Sequence, residues 1–282
     1  PELKGEKGDL LASSTSLNRE DSFLKNYRKS SERGYQTQKA YLIKGERLSP
    51  GEFGIMHGYM QVPELKSVCH QYGASINEYL IGVFVWSVYR ECMHGMPSDK
   101  PVRVAVPVNL RPYFNSITTK NFFAMVSAEF HPVEDEYSFE EVLAVVKESL
   151  RQQINKENLE RLFSYNVSNE KILVARAAPL LIKNIAMRVI YTQSALANTT
   201  TITNIGNITV DDVYRPYVEM FHSCLAMSKG QHIKGNICSY GSTLVFTFSY
   251  DLADASVQRG FFRKIAEDGV NVEIESNGVN YE

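Results

Sequence analysis

The sequence predicts an α/β fold, a mixed β-sheet with helices packed against it, and three observations lead there. Two Ser-x-x-Glu signatures, Ser75-Ile76-Asn77-Glu78 and Ser138-Phe139-Glu140-Glu141, each open an apolar run with helical spacing. Short apolar segments of strand character lie between and after them. Near the end, two such segments flank Tyr240-Gly241-Ser242, which predicts a hairpin.

Taken in order, residues 1–33 are polar, with Gly5, Gly8 and the run Ser13-Ser14-Thr15-Ser16, and are expected to form a linker or surface segment. From residue 34 to residue 282 no second linker breaks the pattern, so this stretch is expected to be one structural unit. Pro63 suits a first helical turn and Gly73 the stop after a short helix containing Leu65 and Val68. The run Tyr79 to Tyr89 is apolar on nearly every face, which predicts a buried central helix behind the Ser75 cap. Val102, Val104, Val106 and Val108 fall on one strand face, and Pro107 is expected to end that strand. Met125 to Phe130 is the next strand candidate. Phe139, Val142, Val146 and Leu150 then form the stripe of a helix lying on a sheet. Thr199 to Thr203, Val218 to Met227, Ile237 to Ser239 and Leu244 to Tyr250 are further strand candidates. A last helix is expected from a cap at Asp254 to a stop at Gly269, with Val270 to Glu275 closing as a strand.

The bulk properties exclude several classes. With 44% hydrophobic and 22% charged residues and a net charge of -2, the 282-residue chain has a globular composition and no basic footprint for nucleic acid. The most apolar stretch, Ile172 to Ile190, is interrupted by Arg176, Lys183, Asn184 and Arg188, which argues against a membrane span. The four cysteines, Cys69, Cys92, Cys224 and Cys238, lack a disulfide-framework spacing, so a reduced, cytoplasmic setting is expected. The chain opens on Pro1 rather than methionine and is expected to be a cut or processed piece.

Histidine is the commonest general base near neutral pH, and the chain has six: His57, His70, His94, His131, His222 and His232. Only His131 has an aspartate four residues on, in His131-Pro132-Val133-Glu134-Asp135, and its place between a strand and the Ser138 cap favours an exposed turn histidine over a catalytic one. Cys69 and His70 point about 100° apart on a helix and cannot share a metal, so no metal site is expected there or at Cys92 and His94. No phosphate loop and no glycine-flanked nucleophilic serine is present.

Three segments together carry a family signal: Ser75 to Leu80 with its apolar helix, Val106-Pro107-Val108-Asn109-Leu110-Arg111-Pro112 with Asn121-Phe122-Phe123 after it, and Thr203-Asn204-Ile205-Gly206 with the hairpin, helix and Ile274-Glu275-Ser276 that follow. In this order they resemble, over roughly residues 20 to 282, the C-terminal part of bacterial alcohol acetyltransferase-like and condensation-domain acyltransferases of the chloramphenicol acetyltransferase-like superfamily. Their order and spacing, rather than any single piece, make the case.

The resemblance implies a two-lobed fold with a tunnel between the lobes, of which residues 34–282 would be the C-terminal lobe and 1–33 a segment left from the other. It implies transfer of an acyl group such as acetyl from a thioester, with acyl-CoA as cosubstrate and no covalently bound cofactor, to a small alcohol. In such relatives a His-His-x-x-x-Asp-Gly motif in the N-terminal part supplies the base. No such motif occurs in this sequence, so the chain alone is expected to be inactive and to rely on an N-terminal lobe as partner, or to self-associate through the exposed interface. By the same resemblance Arg111 would hold the motif aspartate, the alternative being a surface arginine after a strand. Thr203 or Asn204, in the loop that ends at Gly206, would face the tunnel and hydrogen-bond the oxyanion or acceptor, the alternative being plain turn chemistry at Asn-x-Gly. Ala124 stands where many relatives carry glycine. Competing readings are a condensation domain working on carrier-bound substrates and a non-catalytic ligand-binding or scaffold domain.

Overall fold

A computed structural model describes residues 19–29, 38–170 and 179–278. Most of the predicted linker, residues 1–18 and 30–33, lies outside the described residues. The chain divides into two compact units: Pro1–Tyr35, Pro107–Met125 and Gln153–Asn184 form one, and Gln36–Val106, Val126–Gln152 and Ile185–Glu282 form the other. The described elements are α1 (Ser22–Asn26), β1 (Gly54–Gln61), α2 (Val62–Gln71), α3 (Ile76–Ser87), β2 (Val102–Asn109), α4 (Arg111–Phe114), β3 (Phe123–Phe130), α5 (Phe139–Gln153), α6 (Lys156–Glu170), α7 (Leu180–Leu196), β4 (Thr200–Asn207), β5 (Ile233–Tyr240), β6 (Thr243–Tyr250), α8 (Ser256–Glu267) and β7 (Val272–Ser276).

The strands form one seven-stranded mixed sheet in the order β3-β2-β4-β5-β6-β1-β7. β4 runs parallel to both β2 and β5, whereas β5-β6, β6-β1 and β1-β7 are antiparallel. β5 and β6 are buried along most of their length on both faces, so something covers each side of the sheet.

On one side the cover is helical. α3 begins at a complete capping box: the Ser75 hydroxyl accepts from Glu78 N at 3.2 Å, and the Glu78 carboxylate accepts from Ser75 N at 2.7 Å. Tyr79, Leu80, Ile81, Val83, Phe84, Val85 and Val88 are all fully buried, the outcome that an all-round apolar run predicts. The helix ends in a π-type turn over Val88–Cys92. α8 packs against α3, that turn and β7, and turns Val257, Phe261, Phe262 and Ile265 inward. The second predicted cap is also present, with Ser138 N donating to Glu141 at 2.7 Å, and α5 buries Phe139, Val142, Leu143, Val146 and Leu150. α2 starts with Pro63 in its first turn and ends just before Gly73, and the hairpin joins β5 to β6.

Several expectations need correction. Pro107 does not end β2, which continues to Asn109, and the strand is buried on both faces as far as Val106 rather than on one. Asp254 does not cap α8 by itself: the helix starts at Ser256, whose N–H and hydroxyl both reach the Asp254 carboxylate. Val218 to Met227 is not a strand of the sheet, although its residues alternate between half-buried and exposed as a strand's do. Within the stretch read as a linker, α1 places Phe23 against Phe122 (4.9 Å between ring centres) and Phe163 (5.7 Å) in an aromatic cluster completed by Phe114. α7 occupies part of the apolar Ile172 to Ile190 stretch, and no helix among the described residues is long and apolar enough to cross a membrane.

Candidate functional site

The second face of the sheet carries the polar groups. Cross-strand partners share a face, so the register places Thr203, Asn236, Thr247, His57 and Glu275 in one row across β4, β5, β6, β1 and β7. One row over, Lys234 pairs with Ser249. The opposite side of β1 packs on α8, where Gly58 meets the Phe262 ring, so His57 and Tyr59 must point away from the helices. Asn236, Thr247, Ser249 and Lys234 are nevertheless buried, and each finds a polar partner. Burial lowers the Lys234 amine below its usual range, and its Nζ donates to Ser228.

What buries them is the segment from Phe221 to Ser228, which crosses this face as a strap. Its attachments are side chains rather than a strand ladder. Cys238 Sγ donates to Phe221 O (3.2 Å), Ser223 bonds Asn236, and Leu225 N donates to Ser249 Oγ (3.2 Å). His222, exposed on the strap, lies with its ring 4.4 Å from that of His57 and its Nε2 3.0 Å from the Tyr59 hydroxyl. His57 Nδ1 is 2.8 Å from Thr247 Oγ1, and Tyr59 donates to Glu275 Oε2 at 2.5 Å. Burial first, and the neighbouring His222 second, hold His57 below the ordinary imidazole range. Burial and the Glu275 carboxylate together raise Tyr59, which therefore keeps its proton.

The sequence-predicted residues fall in two places. Thr203, Asn204 and Gly206 lie together from the middle of β4 onward, with Thr203 at the end of the polar row. Asn204 turns back on its own chain, its Oδ1 accepting from Gly206 N at 2.8 Å, while Gly206 (φ +86°) forms a bulge in the pairing with β5. Arg111 belongs to the other unit, where its guanidinium donates to Thr118 O (2.8 Å), Lys120 O (2.7 Å) and Asn109 Oδ1 (3.1 Å). It organises its own turn between β2 and β3. His131 is exposed with Nε2 beside Ser98 O at 2.9 Å. The Cys69 and Cys92 thiols are both pushed up to about 12 by burial, so neither is a thiolate at neutral pH. Among the described residues no group of three or more His, Cys, Asp or Glu could hold a metal ion.

Sequence reasoning missed His57, Tyr59, His222 and Glu275. The period-two run His57-x-Tyr59 was the available signal, but the two histidines are far apart in the chain and meet only where the segment carrying His222 lies over β1.

No family model matches the chain, and no curated protein matches it. Solved structures do. A trichothecene 15-O-acetyltransferase from Fusarium sporotrichioides superposes over 93% of this chain and 54% of its own, with a TM-score of 0.52 at 14% identity. A nonribosomal peptide synthetase matches over 82% of this chain and 22% of its own (TM-score 0.53, 15% identity), and polyketide synthase associated protein 5 from Mycobacterium tuberculosis over 84% and 56% (TM-score 0.51, 10% identity). The chain shares the mixed α/β fold of these structures. The chain spans just over half of the two shorter structures it matches, and less than a quarter of the peptide synthetase. Identities this low carry the fold and not the reaction.

Proposed function

We propose that this chain is the C-terminal part of an acyltransferase that moves an acyl group from a thioester such as acetyl-CoA to an alcohol. The observation that supports it most is the shared fold along 93% of the chain with an O-acetyltransferase of which it covers 54%. In this reading an N-terminal lobe is the partner, and the polar sheet face contributes to the tunnel wall. Both oxyanion candidates carry a donor for this role: the Thr203 hydroxyl, at the end of that row, and the Asn204 Nδ2, whose amide is oriented by the bond from Gly206 N to Oδ1. Arg111 already makes three hydrogen bonds within its turn and keeps further guanidinium donors for an incoming carboxylate.

The base is the missing component, since the sequence contains no His-His-x-x-x-Asp-Gly motif. General-base catalysis is worth ~10²- to 10⁴-fold. The purified chain should therefore release no coenzyme A from acetyl-CoA above the buffer rate with any of a panel of alcohols. Turnover that His131→Ala abolishes would overturn this reading. A condensation domain acting on carrier-bound substrates is the second reading, favoured by the peptide synthetase match, and transfer from an acyl-carrier thioester but not from acetyl-CoA would select it.

A further inference from the structure

Lys234, Asn236 and Cys238 follow one another on the polar face of β5, and each is tied to the strap. Lys234 Nζ donates to Ser228 Oγ, Ser223 Oγ donates to Asn236 Oδ1, and Cys238 Sγ donates to Phe221 O. As β5 ascends its strap partners descend, so the strap runs antiparallel to β5, one layer above it. Ser249 of β6 receives Leu225 N, and Tyr59 of β1 meets His222. In every one of these contacts the sheet contributes a side chain.

The strap's backbone is accounted for differently from that of the strands beneath. Among the described residues, no backbone N–H or carbonyl from Glu219 to Met227 pairs with another backbone group. Glu219, His222, Cys224 and Ala226 are exposed, and Phe221 and Leu225 are only half-buried. Lifting the strap therefore gives up little apolar area and a handful of side-chain bonds, and water replaces those bonds on both sides. Closure also works against Lys234, a buried amine with three hydrogens and Ser228 as its acceptor. At the far end Gln231 N returns to Ser228 O at 3.0 Å around Gly230 (φ +75°), a tight turn that anchors the strap while the rest moves.

We infer that Phe221 to Met227 is a hinged cover that opens as a unit while the sheet stays folded, uncovering Asn236, Cys238 and Ser249 as a hydrogen-bonding wall for a polar ligand. Segments with few buried apolar contacts and no ladder of their own open well below the free energy of global unfolding. The opening stands on the bond accounting alone. Its use, admission of an alcohol acceptor to the tunnel wall, rests on the acyltransferase proposal.

Cys238 reports the opening, because its thiol is 1% exposed and lies under the strap. The test is alkylation of the whole chain by N-ethylmaleimide at rising urea below the unfolding transition, with peptide mass spectrometry reading Cys238. Cys224→Ser removes the exposed thiol that would react first. The Cys238 rate should be nearly independent of urea, since the opening exposes little surface. Ser223→Ala should raise it by about two- to tenfold, the range that loss of one hydrogen bond spans, without moving the urea midpoint of the whole chain. Ser249→Ala, which takes the acceptor from Leu225 N, should raise it likewise. A Cys238 rate that climbs with urea as steeply as global unfolding, or one that both substitutions leave unchanged, would overturn the inference. No acyl transfer enters these rates, so their failure leaves the acyltransferase proposal standing, and coenzyme A release by the chain would count against that proposal alone.

Discussion

Glu78 does two jobs with one carboxylate. It completes the cap of α3 through Ser75 N, and it receives Arg151 of α5 in a paired contact, Nε to Oε1 at 2.6 Å and Nη2 to Oε2 at 3.1 Å. Burial would raise its pKa, but Arg151 and the Ser75 hydrogen bonds outweigh burial and hold it below the ordinary carboxylate range. A depressed folded value stabilises the protein fully above the unfolded glutamate pKa of about 4.3 and ceases to as pH falls through the folded value. Glu78→Gln should therefore cost about 1 kcal/mol at pH 7, given that Arg151 is half exposed, and progressively less below pH 4. Chemical denaturation of both proteins at pH 7 and pH 3 checks this. An equal gap at the two pH values would show that the carboxylate's charge does not matter.

At the scale of elements, α8 packs on β1 through a close approach at Gly58. A Cβ at Gly58 of β1 would stand 2.1 Å from the Phe262 ring of α8, so helix and strand meet where only glycine fits. Gly58→Ala should cost roughly 1–3 kcal/mol by overpacking. Phe262→Leu makes room, so the double variant should lose less than the sum of the singles. Additive losses in urea titrations would place the clash elsewhere. This contact was not readable in advance, nor was β1, because Ile55, Met56, Tyr59 and Met60 do not alternate cleanly with polar neighbours. What was readable had its cause in local chemistry: Ser75 with Glu78, Ser138 with Glu141, the apolar run of α3, the hairpin at Gly241. Val218 to Met227 misled for a physical reason. The segment is extended and alternates, but it bonds to side chains such as Ser249 and Asn236 instead of to a neighbouring backbone. The turn chemistry of Asn204-Ile205-Gly206 was legible in the sequence and is present as a bulge in β4. The polar row that Thr203 ends was not, because it exists only once five strands are in register.

For the whole molecule, α7 is the element that the described structure leaves uncovered. Leu180 and Leu181 are 72% and 73% exposed, and Ile182, Ile185, Met187, Val189, Ile190 and Tyr191 are each exposed by half or more. Between Leu180 and Leu196 the only charges are Lys183 and Arg188. Soluble proteins rarely leave apolar patches larger than a few hundred Å² open to water, because each Å² so exposed forgoes about 25 cal/mol. The acyltransferase proposal supplies the occupant, an N-terminal lobe that accounts for the length by which the matched acetyltransferase exceeds this chain. Without that lobe, the nearest apolar surface in solution is α7 of another copy. The purified chain should thus associate with rising concentration in sedimentation velocity runs. Leu181→Glu with Ile185→Glu puts two carboxylates on the patch and, both sites being exposed, should shift the protein to monomer without a loss of thermal stability. A wild-type chain that stays monomeric across that concentration range would mean that α7 tolerates water unaided, and would remove the need for a covering lobe.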